Sequence, residues 1–269
     1  MKFWKMSGSG NDFVFVNGIA DPSAGRQAVV PAFVRQLCAA HTGVGADGVA
    51  VLQVSPAQDF SLAYLNRDGS VGELCGNASL CAVRLGVELG LAKSDHVSFG
   101  TGAGVLKGRI VDGRPEVDLQ PLQGLRADAG ISKQPGEHEL GFVEAGVPHL
   151  VIRSDDAASV LLADRGPELR FHSSLREGAN VNWVSPADGG RWRMRTFERG
   201  VEAETLACGT GAVACAALLK AWGRSGDATD LITRSGRVLS VRLRETPAGT
   251  VPTLAGEARI VFEAELREL

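Results

Sequence analysis

Short apolar runs alternate with polar positions along most of the chain, and Gly, Pro or Asp separates one run from the next. The stretches 13–16, 49–52, 60–65 and 97–99 predict strands. So do 105–111, 117–119, 150–152, 181–184, 192–197, 238–243 and 258–262. Their β-branched and aromatic residues suit a pleated surface buried on one side. Asp-Gly pairs at 68–69, 112–113 and 188–189 predict turns. Helical spacing is rarer and predicts helices over roughly 31–40, 77–89 and 210–222. The expectation is a strand-rich α+β fold. With little strict β-α-β alternation, a doubly wound Rossmann sheet is disfavoured.

One comparison organises the chain. Cys75-Gly76-Asn77-Ala78 leads into an apolar helix that carries Cys81, and Cys208-Gly209-Thr210-Gly211 leads into another that carries Cys215. The leading cysteines are 208 − 75 = 133 positions apart, almost half of 269. Strand-like sequence and a charged turn precede each: Asn66-Arg67-Asp68-Gly69 in one half, Glu198-Arg199-Gly200 in the other. Shared context at half-length spacing predicts an internal duplication. Each copy would present one cysteine where a strand feeds a helix N-terminus. The segment from Gln120 to Glu139 lacks sustained periodicity and supplies the boundary. The expected halves are residues 1–119 with 257–269, and residues 120–256.

Composition narrows the function. Apolar residues make up 44% and charged residues 22%, which is enough apolar surface to offset chain entropy. A net charge of -3 offers no field for a polyanion, so nucleic acid is not an expected partner. No run of about 18 apolar residues occurs, so no membrane span is expected. The opening residues lack an apolar core of signal-peptide length. Five cysteines are an odd count for a disulfide framework and point to a reduced, cytoplasmic setting.

Two of those thiols sit where chemistry is favoured. At a helix N-terminus the first amides and the helix dipole stabilise a thiolate, and the same amides hold a carboxylate or phosphate. Glycine after each cysteine lets backbone approach a ligand closely. Two such thiols could take a proton from one face of a carbon and return one to the other. The apolar neighbours of Cys38, Cys81 and Cys215 assign those three to packing instead. The spacings Cys-x5-Cys and Cys-x6-Cys match no common metal-ligand pair, so no metal is expected.

At these residues the chain resembles the diaminopimelate epimerases, in the PLP-independent amino-acid racemase group. The resemblance runs through Phe3-x-Lys5-Met6-x-Gly8-x-Gly10-Asn11-Asp12-Phe13-Val14, His41-x-Gly43-x-Gly45-Ala46-Asp47-Gly48, and Asn66-x-Asp68-Gly69-Ser70. It continues through Leu74-Cys75-Gly76-Asn77, Gly146-Val147-Pro148-His149 and Asn180-Val181-Asn182. It ends with Glu198-Arg199-Gly200-Val201 and Glu204-Thr205-Leu206-Ala207-Cys208-Gly209-Thr210-Gly211. It implies two pseudo-symmetric domains, each with strands wrapped around a central helix, an active site in the cleft between them, and a homodimer. It further implies Cys75 and Cys208 as the two bases, with His149 and Glu198 managing their protonation. The amides of Gly76, Asn77, Gly209 and Thr210 would hold the carboxylate at the reacting centre. Asn11, Asn66, Asn180 and Arg199 would hold the remaining ammonium and carboxylate groups of a small amino-acid substrate. No cofactor is implied.

The chain departs from the family pattern at Ala78, where glycine is common, at Leu80, where arginine is common, and at Val147 and Glu144. Those positions keep open a racemase of another amino acid, histidine for example, on the same scaffold. A non-catalytic thiol protein that binds an amino acid or metal is the reading from a different class.

Overall fold

The structure is a computed structural model that describes residues 1–269. Its first part runs β1 (Lys2–Gly8), β2 (Asn11–Asn17), α1 (Pro22–Gln27), α2 (Pro31–Cys38), β3 (Gly48–Gln53), β4 (Phe60–Asn66) and β5 (Val71–Gly72). Then come α3 (Gly76–Glu88), β6 (His96–Thr101), β7 (Gly104–Val111) and β8 (Arg114–Asp118). The second part runs β9 (Gln123–Arg126), β10 (Glu137–Glu144), β11 (Pro148–Ser154), α4 (Leu162–Arg170), β12 (Asn180–Pro186), β13 (Trp192–Glu198) and β14 (Ala203–Thr205). It continues with α5 (Gly209–Ala221), β15 (Ala228–Ile232), β16 (Val238–Thr246), β17 (Gly249–Ala255) and β18 (Ala258–Glu265). Backbone packing divides the chain into unit 1, Met1–Val117 with Gly256–Leu269, and unit 2, Asp118–Ala255.

In unit 1, β1 and β2 are antiparallel, and α1 and α2 carry the chain over to β3, which lies parallel to β2. Strands β3 and β4 are antiparallel, β5 folds back on β4, α3 follows, and β6 returns parallel to β4 before turning into β7. Strand β18 closes on β1. Unit 2 repeats the scheme: β10 and β11 antiparallel, α4 as the crossover, β12 parallel to β11, then the β12/β13 and β13/β14 hairpins. After α5, β15 returns parallel to β13 and turns into β16. Strand β9 occupies on β10 the place that β18 occupies on β1. The fold is mixed α and β with two repeated halves.

Each half is organised on one 13-residue helix, α3 in unit 1 and α5 in unit 2. Ten of the 13 residues of α3 and 11 of the 13 of α5 are buried. Sheet strands cover most of both helices, and α3 keeps only Arg84, Val87 and Glu88 towards solvent. Small residues let those strands close in. A Cβ on Gly141 of β10 would meet the Leu218 side chain of α5 at 2.5 Å.

Local pattern alone missed several elements. Helix α1 has six residues, too few for a periodic stripe, and starts because Asp21 caps it, accepting from the amides of Ser23 and Ala24 at 3.0 Å. Helix α4 holds Gly166 and Pro167 inside, and propensity argues against it. Tertiary contact overrides that. The Phe197 ring of β13 packs on Gly166 so closely that a Cβ there would lie 2.6 Å from it. Both helices serve as crossovers between parallel strands, so each half contains β-α-β connections that the pattern did not reveal. The segment expected to be irregular between Gln120 and Glu139 holds β9 and the start of β10.

Candidate active site

The two leading cysteines occupy the same structural position. Cys75 is the N-cap of α3 with φ −128° and ψ 114°, and Cys208 is the N-cap of α5 with φ −128° and ψ 111°. Both helices have 13 residues, and glycines at φ +68°, Gly90 and Gly223, follow their ends. The first helical bonds run from Ser79 N to Cys75 O and from Ala212 N to Cys208 O, each 2.9 Å. The amides of Gly76, Asn77, Gly209 and Thr210 therefore precede the intrahelical ladder.

In unit 1, Cys75 is partly exposed and Asn77 is buried. The Asn77 side-chain amide donates to Asn11 Oδ1 at 2.7 Å, and the Asn11 side-chain amide donates to Asp47 Oδ2 at 3.0 Å. Asp47 also accepts from the Asp12 backbone amide, while Lys5 pairs with Asp12 at 2.5 Å. Gly8 of β1 has to be small because a Cβ there would lie 2.7 Å from the Asn77 carbonyl oxygen. Asn66 closes the β4/β5 hairpin, donating from its side chain to Ser70 Oγ at 3.0 Å. Gly69, at φ +84°, supplies the left-handed turn there.

In unit 2, Cys208 Sγ accepts from the Gly211 amide at 3.3 Å and lies 3.6 Å from the Thr210 hydroxyl. The Gly211 amide aimed at sulfur favours its anion. Glu198 accepts from the Thr205 hydroxyl at 2.6 Å. Asn180 Oδ1 accepts from the Arg199 amide at 2.8 Å, which ties the end of β13 to β12. The Arg199 guanidinium stands 3.8 Å from Glu177. His149 is fully buried. Burial first, and then the charge of Arg199, push its pKa from 6.5 down to about 3, so the ring is neutral at pH 7.

The other cysteines are buried packing residues. Burial raises the Cys38 thiol to about 11 and holds Cys81 and Cys215 well above their ordinary range. Within unit 1, hydrogen bonds join Asn77 to Asn11, whereas Asn66 stands on a separate hairpin. Within unit 2, Asn180 and Arg199 are bonded, whereas Glu198 and His149 have different partners. Sequence reasoning assigned no site role to Asp47, Thr196 or Asn182. Asn182 is a fully buried node that donates to His149 Nδ1 at 3.1 Å and to the Leu150 carbonyl at 2.9 Å, and accepts from Thr196 at 2.9 Å. Its one trace in the sequence is the spacing of two asparagines, two positions apart on an otherwise apolar strand, which does not name its partners.

A family model described as diaminopimelate epimerase matches residues 3–121 and 141–261. The chain belongs to the diaminopimelate epimerase family. It is 45% identical over 280 residues to the diaminopimelate epimerase of Gemmatimonas aurantiaca, covering 100% of both chains. It is 39% identical over 277 residues to that of Aquifex aeolicus, covering 100% of this chain and 98% of the relative. Among solved structures, a PhzF-family phenazine biosynthesis protein of Bacillus anthracis shares the fold. Its TM-score is 0.77 at 14% identity, covering 100% of this chain and 99% of that one.

The departures from the family pattern fall into place in this fold. Ala78 lies inside α3, where its Cβ needs no special backbone. Leu80 is fully buried on the same helix and packs in the core. Glu144 is exposed at the end of β10.

Proposed function

We propose that this chain interconverts LL- and meso-diaminopimelate by two-base proton transfer between Cys75 and Cys208, without PLP or metal. The observation that carries this reading is the pair of cysteine N-caps with matched backbone angles in two repeated halves. The full-length identity to diaminopimelate epimerases supports the choice of substrate. One cysteine, as thiolate, takes the α-proton and becomes a thiol. The other, as thiol, gives its proton to the opposite face of the same carbon and becomes the thiolate. Charge developing on the α-carboxylate meets the amides of Gly76, Asn77, Gly209 and Thr210, already oriented by their helices. Asn11, Asn66, Asn180 and Arg199 hold the other polar groups of the substrate, Arg199 through its planar fork. His149 and Glu198 adjust the thiol protonation states. The working form is a cytoplasmic homodimer.

The test is isotopic. In D2O under reducing conditions, meso product formed from the LL isomer should carry solvent deuterium at the inverted carbon, while LL isomer recovered early stays largely unlabelled. A thiol holds a single proton, so return to the original face brings back the original hydrogen. Equal early labelling of both isomers would exclude two bases, and no labelling would exclude the reaction.

A further inference from the structure

The pairing registers of the two halves can be matched residue by residue, and at one set of matched positions unit 2 buries polar side chains that unit 1 lacks. Tyr64 pairs with Gly72 three residues before Cys75, and Thr196 pairs with Thr205 three residues before Cys208. Ala50 is opposite Tyr64, and Asn182 is opposite Thr196. Extending each register across the parallel pair makes Phe13 the counterpart of His149. Unit 1 thus has Phe13, Ala50 and Tyr64, with the two rings edge to face at 6.0 Å, where unit 2 has His149, Asn182 and Thr196. Unit 1, with two aromatic rings and a methyl group at these positions, shows that the fold itself does not require an imidazole, a side-chain amide and a threonine hydroxyl there. Burying an amide, a hydroxyl and an imidazole costs stability unless each finds partners.

The partners fix every proton but one. A carbonyl oxygen only accepts, so the Asn182 atom facing Leu150 O at 2.9 Å is the NH2 group. Its oxygen then faces the Thr196 hydroxyl, which donates to it. The second NH2 hydrogen points to His149 Nδ1 at 3.1 Å, so Nδ1 accepts and the ring proton of the neutral imidazole sits on Nε2. His149 Nε2 is buried and makes no hydrogen bond within the chain.

We infer that Asn182 is a positioning residue that locks His149 in the Nε2–H tautomer, so that the ring serves as a neutral hydrogen-bond donor to an anion of the reaction. This rests on the reading of His149 as a group that adjusts thiol protonation. The low pKa of the ring agrees with it: a neutral donor stabilises a thiolate or carboxylate without becoming an imidazolium. Thr196 holds the amide in the required orientation, and the Leu150 carbonyl makes the reverse orientation unfavourable.

The experiment is nitrogen-15 NMR of histidine-labelled protein, with His149 assigned by the loss of its signals in His149→Gln. Wild type should show the Nε2–H tautomer at neutral pH. Asn182→Asp puts an acceptor opposite Nδ1 and should move the proton to Nδ1. In that variant kcat should fall by about 10–100-fold with a smaller change in KM. A wild-type His149 protonated on Nδ1, or on both nitrogens, overturns the inference without any variant. So does a proton that moves to Nδ1 in Asn182→Asp while kcat stays at the wild-type value. Absence of epimerase activity in wild type would instead count against the proposed function, and the spectrum would still decide the tautomer.

Discussion

A buried imidazole that stays neutral ties the stability of the fold to pH in one direction. In the unfolded chain His149 titrates near 6.5, and in the native state near 3. Below about pH 6.5 the unfolded state takes up a proton that the native state refuses. The contribution is therefore intact above that pH and is lost as pH falls towards 3, at up to about 1.4 kcal/mol per pH unit. Between about pH 7 and pH 5, wild type should lose about 2 kcal/mol more stability than His149→Gln, measured by urea denaturation. Equal losses would mean that the ring is solvated and titrates in the native state as it does in the unfolded chain, and a wild type that loses less than the variant would mean that it is charged there. The same residue marks how far single positions could be read in sequence. Cys75 and Cys208 stood out because glycine follows each at a helix entry. Asn182 did not, since its importance lies in the three groups around it, Leu150, His149 and Thr196, which come from two neighbouring strands.

Helices α3 and α5 were legible almost to their ends because a mostly apolar run of helical length between a cysteine cap and a glycine stop has few other conformations. Helix α4 was not, because its reason to be helical is the Phe197 ring over Gly166 rather than its own residues. Strand β10 was hidden for a related reason: its Gly141 interrupts the strand pattern but admits Leu218 of α5. At the entries of the two central helices, matched positions carry Ala78 and Gly211, and the structure gives the difference a cause. A Cβ on Gly211 would lie 2.5 Å from Asn182 Oδ1 and 3.1 Å from Cys208 Sγ. Gly211→Ala should therefore destabilise by about 1–3 kcal/mol through overpacking, against the roughly 1 kcal/mol that alanine gains over glycine inside a helix. Ala78→Gly, at a fully buried position, should cost the propensity difference plus the burial of one methyl, about 1–2 kcal/mol together. Denaturant midpoints of the two variants check this, and a stabilised Gly211→Ala would show that the Asn182 amide is free to move aside.

At the scale of the whole chain, the duplication is unequal in how each half is completed. Unit 2 is one continuous stretch, Asp118–Ala255, and its strand β9 reaches β10 from nearby in sequence. Unit 1 is opened by the first 117 residues and closed only by β18, which pairs with β1 along seven positions with a bulge between Lys5 and Met6. The closure is tight at its far end. The Met1 ammonium donates to the Leu266 carbonyl at 3.0 Å, the Leu266 amide donates to Met1 O at 2.8 Å, and Phe3 meets Phe262 edge to face at 6.2 Å. Such pairing between the chain ends carries the largest loop-closure cost in the molecule and forms only when the last strand exists. Truncation after Gly256 should leave β1 as an unpaired edge next to β2. Limited proteolysis followed by mass spectrometry should then release peptides from residues 1–117 early, while peptides from residues 118–255 stay protected. Uniform protection across both units would show that unit 1 holds its core without β18. Uniform digestion would show that the two halves unfold as one cooperative unit, and that the duplicated halves have lost the independence their matching topologies suggest.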